Sequence, residues 1–353
     1  MRKKFFAWTL LSIAMFFFSC EDELDTGNNV TSDEAKLEIN SLASQASEDI
    51  VQLTESQGVK GASDLLHLLE DFDFSARKEE VGKVREKLHL IAQYFVYGPS
   101  ARVSSDDDAF TFDDIKGLYV WNAATEEFDK SASDFFIVQF PSEGANSNNA
   151  ELKIADLELI SIKEDFGDYV NIYQLPSVID AYLKIDDVEV ISLTYVVNWS
   201  SEGVPQKADV ELVVSPFSFT LGFDQTFDEK SASLVTSIAL NQVSILGVDV
   251  DVEFESAAKE EISSIDGFVQ YYNLKVAGNV EVPTFEEEEN GDINDFINLD
   301  LLLDDEKIGD ILFEDDLAYV VYSDGSKELL EDIIQPVVDD LEEFFDDIEE
   351  DFD

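Results

Sequence analysis

The spacing of apolar residues predicts helices in the first part of the chain. Over residues 31–97, apolar side chains recur every three or four positions, which places them on one face of a helix. Thr31 and Glu34 form a capping box that would begin the first helix, and Gly58 would end it. Further helices would follow. The layout favours one compact unit, and the glycine–proline pair at 98–99 would be the clearest boundary if the chain formed two domains.

The pattern changes to alternation over residues 101–325, which predicts β-strands. Between Val248 and Phe254, for example, every second residue is apolar and the residues between them are acidic. Turn residues rather than helices separate the predicted strands, so neighbouring strands are expected to pair antiparallel. Two aspartate pairs, at 186–187 and 304–305, each lie between similar segments and predict similar hairpins.

Residues 327–353 return to helical spacing, with an apolar stripe from Leu330 to Phe352 and an opposite face that is almost entirely acidic. Pro336 would kink this helix, because proline removes a backbone hydrogen-bond donor. The predicted fold class is therefore α+β, a large antiparallel β-meander sheet covered by N-terminal and C-terminal helices. We expect the helices of residues 31–97 to dock on this sheet, since they cannot bury all of their apolar faces alone.

Composition and charge exclude several functional classes. The chain has 353 residues, 79 acidic against 22 basic side chains and a net charge of -57, while 45% of its residues are hydrophobic. That apolar content can fill a core, so global disorder is not expected. The charge repels phosphate, which argues against binding to nucleic acid or to anionic lipid headgroups. One Cys and two His residues cannot build an internal disulfide, a multi-cysteine zinc site or a histidine-rich metal site.

The N-terminus has the features of an export signal. Basic residues lie near its start, an apolar run extends from Phe5 to Phe18, and Ser19 precedes Cys20, the only cysteine of the chain. The run has the length of a secretory segment and is too short for a comfortable membrane span. A small residue directly before a lone cysteine resembles the lipobox of bacterial lipoproteins. The resemblance implies that signal peptidase II removes residues 1–19 and that Cys20 carries the lipid that attaches the protein to a membrane.

Residues 20–30 begin with an acidic run and lack apolar periodicity, which predicts a flexible tether. An acidic run directly behind the lipidated cysteine resembles the surface-export signal of Bacteroidetes lipoproteins, and the phenylalanine-rich segment before it is similar to theirs. The resemblance implies a lipid-anchored outer-membrane protein that is exposed at the cell surface. The alternative is an ordinary acidic tether on the periplasmic face.

No recognised catalytic or nucleotide-binding motif occurs in the sequence, whether G-x-G-x-x-G, P-loop, G-x-S-x-G or H-E-x-x-H. His67 and His89 have no nucleophile signature around them and are expected on helix surfaces rather than in a catalytic site. Trp121 and Trp199 could stack on sugars if exposed, although packing on the sheet is their expected role. We therefore assign no catalytic, cofactor-binding or metal-binding residue from the sequence.

Calcium is the ion that so many carboxylates would favour. Residues 304–309 superficially resemble an EF-hand loop, but Ile308 stands where an oxygen ligand belongs. The acidic segments at 105–108 and 286–292 are more typical of solvated turns. Diffuse cation binding is therefore expected, and a dedicated calcium site is not.

These observations favour a non-catalytic, lipid-anchored cell-envelope protein that binds a ligand or partner or has a structural role. The candidate partners are a glycan, a protein or an apolar ligand. One alternative is a carrier of lipid or another apolar ligand in a sheet-lined cavity, by analogy of architecture. A second is a glycoside-active enzyme, which needs two carboxylates about 5–10 Å apart across a cleft.

Overall fold

The computed structural model describes two stretches of the chain and some single residues. The stretches are residues 55–70 and 111–333, the latter with gaps at 143, 166–169, 227, 260, 284–291, 315–316 and 323; the single residues are 37, 41, 42, 45, 49, 52, 53 and 335. The chain divides into two compact units. Leu53–Asp224 is called the β1–β8 unit below, and Gln225–Asp353 with Met1–Gln52 is called the β9–β16 unit.

The β1–β8 unit has eight strands and two helices in its described part. The helices are α1 (Gln57–Glu70) and α2 (Phe112–Ile115), and the strands are β1 (Gly117–Asn122), β2 (Glu127–Ser131), β3 (Phe136–Phe140), β4 (Ala150–Asp165), β5 (Val170–Ile185), β6 (Val188–Trp199), β7 (Pro205–Val214) and β8 (Phe217–Asp224). Their order in the sheet is β8-β7-β6-β5-β4-β3-β1-β2. Neighbours are antiparallel except β1 and β3, which are parallel. From β3 onward this unit is therefore a meander.

The β9–β16 unit also has eight strands in its described part. They are β9 (Ser231–Leu240), β10 (Val243–Phe254), β11 (Ile262–Tyr271), β12 (Leu274–Glu281), β13 (Ile297–Leu303), β14 (Glu306–Glu314), β15 (Leu317–Tyr322) and β16 (Lys327–Leu329). Each pairs antiparallel with the next along the chain, from β9 to β16. The sequence-order pairing is what short turn-rich connections predict.

Aspartate pairs form the turns of the β5–β6 and β13–β14 hairpins. Asp186 and Asp187 have φ angles of 51° and 63°, and Asp304 and Asp305 have 54° and 62°. A left-handed conformation at both central residues gives the turn a twist that matches paired strands, and aspartate tolerates it better than most residues. The two hairpins predicted at these aspartates are confirmed.

The core of the β1–β8 unit lies around β1 and β3–β6. Tyr119, Phe136, Val138 and Phe140 are fully enclosed there, and the Tyr119 and Phe136 ring centroids are 5.5 Å apart. Enclosing a side chain of this size stabilises the fold by about 1.5–3 kcal/mol. The core of the β9–β16 unit has side chains of β13–β15 at its centre: Leu301, Ile308, Ile311, Val320 and Tyr322.

Helix α1 approaches the β5–β6 hairpin very closely, and two glycines permit this. A Cβ atom on Gly58 would lie 2.8 Å from the Val190 carbonyl oxygen, and one on Gly61 would lie 2.6 Å from Ile185 Cδ1. Real Cβ atoms do not occur this close to a neighbour. A larger residue at Gly58 would push the helix away from the backbone of β6, whereas one at Gly61 would require the Ile185 side chain to shift. Gly58 was expected to end a helix, but it lies inside α1.

The predicted fold class, an α+β arrangement with helices covering an antiparallel sheet, is wrong. The chain is mostly β with short helices, and the parallel β1–β3 pair makes the sheet mixed. Strands here are buried in part by their neighbours, since Leu212 pairs with Phe219 and Val214 with Phe217, and such cross-strand pairs shield one another without a covering helix. The 98–99 boundary and the C-terminal stripe beyond 335 lie outside the described residues.

Candidate functional site

A shallow groove of about 250 Å³ lies in the β1–β8 unit, where the ends of β3, β4 and β5 meet. We call it the open corner, defined by Gln139, Asn149, Glu151, Lys184, Asp186 and Asp187. Strand pairing brings these residues together, because Glu151 pairs with Gln139 on one side and with Lys184 on the other. The side chains that line it are almost all polar or charged, so the groove does not favour an apolar ligand.

Glu151 is held at the centre of the open corner by two donors. The Nε2 atom of Gln139 donates to one carboxylate oxygen at 2.8 Å, and the Tyr182 hydroxyl donates to the other at 3.2 Å. Burial raises the pKa of the Tyr182 hydroxyl, and the charge of Glu151 raises it further, so the phenol stays protonated as a donor. The carboxylate is thus fixed in place and retains lone pairs that can accept from a ligand.

Asn149 fixes the wall of the open corner. Its Oδ1 accepts from the Ser142 backbone N–H at 2.9 Å and from the Ser142 hydroxyl at 3.1 Å. Its Nδ2 donates to Asp186 Oδ1 at 3.1 Å, and its carbonyl oxygen accepts from the Asp186 backbone N–H at 2.8 Å. Asn148, beside it, donates from Nδ2 to the Trp121 carbonyl oxygen at 2.8 Å. This asparagine pair therefore shapes the groove and keeps the Asp186 turn in register.

Two lysines lie against aromatic rings beside the groove. Lys184 Nζ is 4.1 Å from the centre of the Tyr182 ring, and Lys153 Nζ is 3.8 Å from that of Phe135. Neither ammonium has an ion-pair partner among the described residues. The lining of the open corner has three carboxylates, on Glu151, Asp186 and Asp187, against the single ammonium of Lys184. A cation or a neutral polar ligand therefore suits it better than an anion.

The β9–β16 unit contains an equivalent arrangement, which we call the closed corner. It consists of Gln270, Asn273, Lys275, Leu302, Asp304 and Asp305. Asn273 Nδ2 donates to Asp304 Oδ1 at 3.1 Å, and Asp304 N–H donates to the Asn273 carbonyl oxygen at 2.9 Å, as in the open corner. Strand pairing is also the same, since Lys275 pairs with Gln270 and with Leu302. The two hairpins therefore resemble each other also in how they pair with the next two strands, which are β4 and β3 in one unit and β12 and β11 in the other.

The two corners differ in charge at two pairs of matched positions, Glu151 against Lys275 and Lys184 against Leu302. Lys275 stands where the open corner has Glu151, and its ammonium forms an ion pair with Asp305. The same ammonium lies 4.9 Å from the centre of the Phe268 ring. Asp187, which matches Asp305, has no hydrogen-bond or ion-pair partner among the described residues. The closed corner thus contains its own cation, and the open corner leaves the matching carboxylate available.

Of the candidate site residues singled out from the sequence, Trp121 and Trp199 have described side chains, and neither is among the residues that line this groove. Cys20 and His89 lie outside the described residues, and so does the side chain of His67, whose backbone belongs to α1. Trp121 packs edge-on against Phe128 at 5.3 Å, and Trp199 donates from Nε1 to the Pro176 carbonyl oxygen at 2.8 Å. Both tryptophans are half-buried against core clusters, which confirms the expected packing role.

The described parts of the acidic segments do not bring three metal-ligand side chains together. Residues 304–309 are the β13–β14 turn and the start of β14, not a calcium loop. Residues 105–108 and most of 286–292 lie outside the described residues. In the part of the chain that the structure describes, no three His, Cys, Asp or Glu side chains converge as metal ligands. None of the helices described there is both long and apolar enough to cross a membrane.

Sequence reasoning missed the open corner because strand register creates it. Gln139, Glu151 and Lys184 are distant in sequence and belong to no motif, and they become neighbours only when β3, β4 and β5 pair. The one available signal was the aspartate pair at 186–187, which marked the turn but not its surroundings. No protein-family model matches this chain, and no curated protein or solved structure matches it either.

Proposed function

We propose that this protein is a non-catalytic, lipid-anchored cell-envelope protein that binds a glycan in the open corner. The observation that carries the proposal is the fixed carboxylate of Glu151, oriented by Gln139 and Tyr182 in a groove of amide and carboxylate groups. Sugar hydroxyls both donate and accept hydrogen bonds, so they match such a lining. Because the groups are already held in place, less conformational entropy is lost on binding.

The size of the groove limits the ligand. Its volume of about 250 Å³ is below the roughly 300–1,000 Å³ of sites for drug-sized ligands. One sugar ring of a longer chain is therefore the portion expected to enter, with the remainder of the glycan over the surface. An open and shallow site suits a polymer better than a small metabolite, which would leave most of its surface in water.

The proposal also includes attachment of the protein to the membrane through a lipid on Cys20. The lone Cys20 behind a signal-like segment supports lipidation, and the high negative charge of the chain leaves little attraction to anionic headgroups. Acyl chains on Cys20, rather than the protein surface, would hold the protein at the outer membrane and present the groove to glycans at the cell surface.

Titration calorimetry of the mature full chain against a panel of oligosaccharides tests the binding. We expect at least one glycan to bind, and Glu151→Gln to weaken that glycan about tenfold or more, because a charge-assisted hydrogen bond is lost. Glu211→Gln removes an exposed carboxylate of β7 and serves as the matched control, which should bind as the wild type does. Equal affinities for all three proteins would contradict the proposal.

Two further measurements test the other parts. The bound glycan should be recovered uncleaved after prolonged incubation, so the release of new reducing ends would contradict a non-catalytic role. In the native host, intact-mass analysis should find acyl chains on Cys20, and globomycin, which blocks signal peptidase II, should prevent their appearance. An unmodified Cys20 in untreated cells would remove the anchor from the proposal.

A further inference from the structure

The closed corner indicates which chemical group the open corner lacks. In the closed corner, the Lys275 side chain is only 19% exposed, and its ammonium contacts the carboxylate of Asp305. In the open corner, the matching Asp187 lines the same groove as Glu151, which stands at the position of Lys275, and Lys184 on the neighbouring strand lies against the Tyr182 ring. The turn carboxylate of the closed corner is therefore paired with an ammonium of its own chain, whereas the one ammonium of the open corner lies against an aromatic ring and Asp187 has no ion-pair partner among the described residues.

Charge and geometry narrow the kind of cation. The open corner carries three carboxylates and one ammonium, and the surrounding protein is strongly negative, so cations are attracted to it. Its carboxylates are not among any group of three side chains placed to hold a metal in the described part of the chain. An ammonium needs fewer ligands than calcium, and the closed corner accommodates one with a single carboxylate and an aromatic ring.

We propose that the open corner binds an amino sugar through its protonated primary amine, with the ammonium on Asp187 and ring hydroxyls on Glu151 and Gln139. This inference rests on the proposed glycan-binding function and names the class of glycan. The ammonium takes the place that Lys275 Nζ takes in the closed corner. The amide oxygen of Gln139 and the free lone pairs of Glu151 accept hydrogen bonds from the hydroxyls next to the amine.

The test compares a tetrasaccharide of glucosamine with the same tetrasaccharide of N-acetylglucosamine, titrated into the mature full chain at physiological salt. The titrations are run at about pH 6, where the amine of glucosamine is protonated. We expect the glucosamine form to bind with one equivalent and about two- to fivefold tighter than the acetylated form, which has no charge to place on the exposed Asp187.

Three variants locate the binding. Asp187→Asn should weaken binding of the glucosamine form about two- to fivefold, to the level of the acetylated form, and asparagine tolerates the left-handed turn conformation, so the hairpin is retained. Glu151→Lys copies the closed corner and should abolish binding by placing an internal ammonium next to Asp187. Glu211→Gln, with the same loss of charge at an exposed position elsewhere, should leave the affinity unchanged. If Glu151→Lys fails to fold, Asp187→Asn carries the test alone.

The outcomes separate this inference from the function on which it rests. Equal binding of both tetrasaccharides, sensitive to Glu151→Gln, would leave the glycan function in place and overturn the amine assignment. Equal losses in Asp187→Asn and Glu211→Gln would mean diffuse attraction to negative charge and would also overturn it. Binding of a lysine-rich peptide that depends on Asp187, with no binding of the tetrasaccharide, would overturn the amino sugar in favour of a protein ligand.

Discussion

The open and closed corners have the same backbone arrangement and opposite chemical outcomes. Each places an asparagine against an aspartate turn, with a glutamine on the adjacent strand. Lys275 forms an ion pair with the turn carboxylate of Asp305, whereas Glu151 stands at the matching position of the open corner and Asp187 has no ion-pair partner among the described residues. The difference teaches that strand pairing supplies the frame, and that the charges at fixed register positions determine whether the turn carboxylate is neutralised within the chain.

The largest expected effect tests whether the strands that form the two corners are packed equivalently. Leu183 and Leu301 occupy matched positions at the end of β5 and β13, with exposed fractions of 3% and 0%. Replacing either by alanine should lower the free energy of unfolding of its unit by about 2–5 kcal/mol, through lost burial and a cavity. Urea unfolding of both variants measures this. A near-wild-type result for one of them would show that the frames are packed differently.

A smaller effect should distinguish the two asparagines. Asn149→Ala removes two bonds from Ser142 and one to Asp186, whereas Asn273→Ala removes the one to Asp304. We expect losses of about 1–3 kcal/mol and about 0.5–1 kcal/mol in the free energy of unfolding. Denaturant titrations of the two variants in parallel provide the measurement. The reverse order of stability would contradict the assigned hydrogen bonds.

Alkaline pH should affect the stability of the two units differently, because one of two matched positions holds an ionisable tyrosine and the other a phenylalanine. Tyr195 and Phe313 are each the eighth residue after their aspartate turn, and burial raises the pKa of Tyr195 from 10.0 to about 12. Because the unfolded chain releases this proton first, the stability that Tyr195 contributes is complete below pH 10.0 and declines as the pH rises toward about 12.

The variant Tyr195→Phe removes this titration and makes the position match Phe313. It should reduce the alkaline loss of stability by about 1–2 kcal/mol, less than for a fully buried phenol. Unfolding free energies measured for wild type and variant at several alkaline pH values check the prediction. Identical pH dependence in the two proteins would mean that Tyr195 ionises as freely when folded as when unfolded.

The smallest expected effect concerns the ion pair of the closed corner. Asp305 is 77% exposed, so its pair with Lys275 should contribute at most about 1 kcal/mol, and less at high salt. Lys275→Ala should therefore be only slightly destabilising, and Lys184→Ala, which breaks no ion pair among the described residues, should be milder still. A large loss in Lys275→Ala would mean that the ammonium has a structural role beyond this pair.

Local sequence patterns identified many of the strands and turns, although not β2 (Glu127–Ser131) or β9 (Ser231–Leu240), and they did not give the fold class. Alternation identified the strand from Val248 to Phe254, and the aspartate pairs identified two hairpins, because both signals are local. The fold class went wrong because helical periodicity at the chain ends says nothing about how much of the sheet a helix covers. The parallel pairing of β1 with β3 depends on a crossover after β2 that leaves no periodic signal.

The candidate site could not be predicted from local sequence patterns either, because it also depends on how the strands pair. Glu151 and Lys184 are 33 positions apart in the sequence, and their meeting depends on the register of two long strands. A bulge in the adjoining β5–β6 pairing lies between Leu183 and Lys184, and a matching bulge in the β13–β14 pairing lies between Leu301 and Leu302. Composition identifies an acidic protein with few basic side chains, but it does not show which carboxylates have no basic partner.

A crystal structure of the mature full chain with a bound glucosamine tetrasaccharide tests the central claim most directly. The account predicts one sugar ring in the open corner, its amine within hydrogen-bond distance of Asp187 and its hydroxyls on Glu151 and Gln139, with the closed corner unchanged. A tetrasaccharide bound elsewhere on the protein, or an open corner that stays empty at saturating ligand, would contradict it.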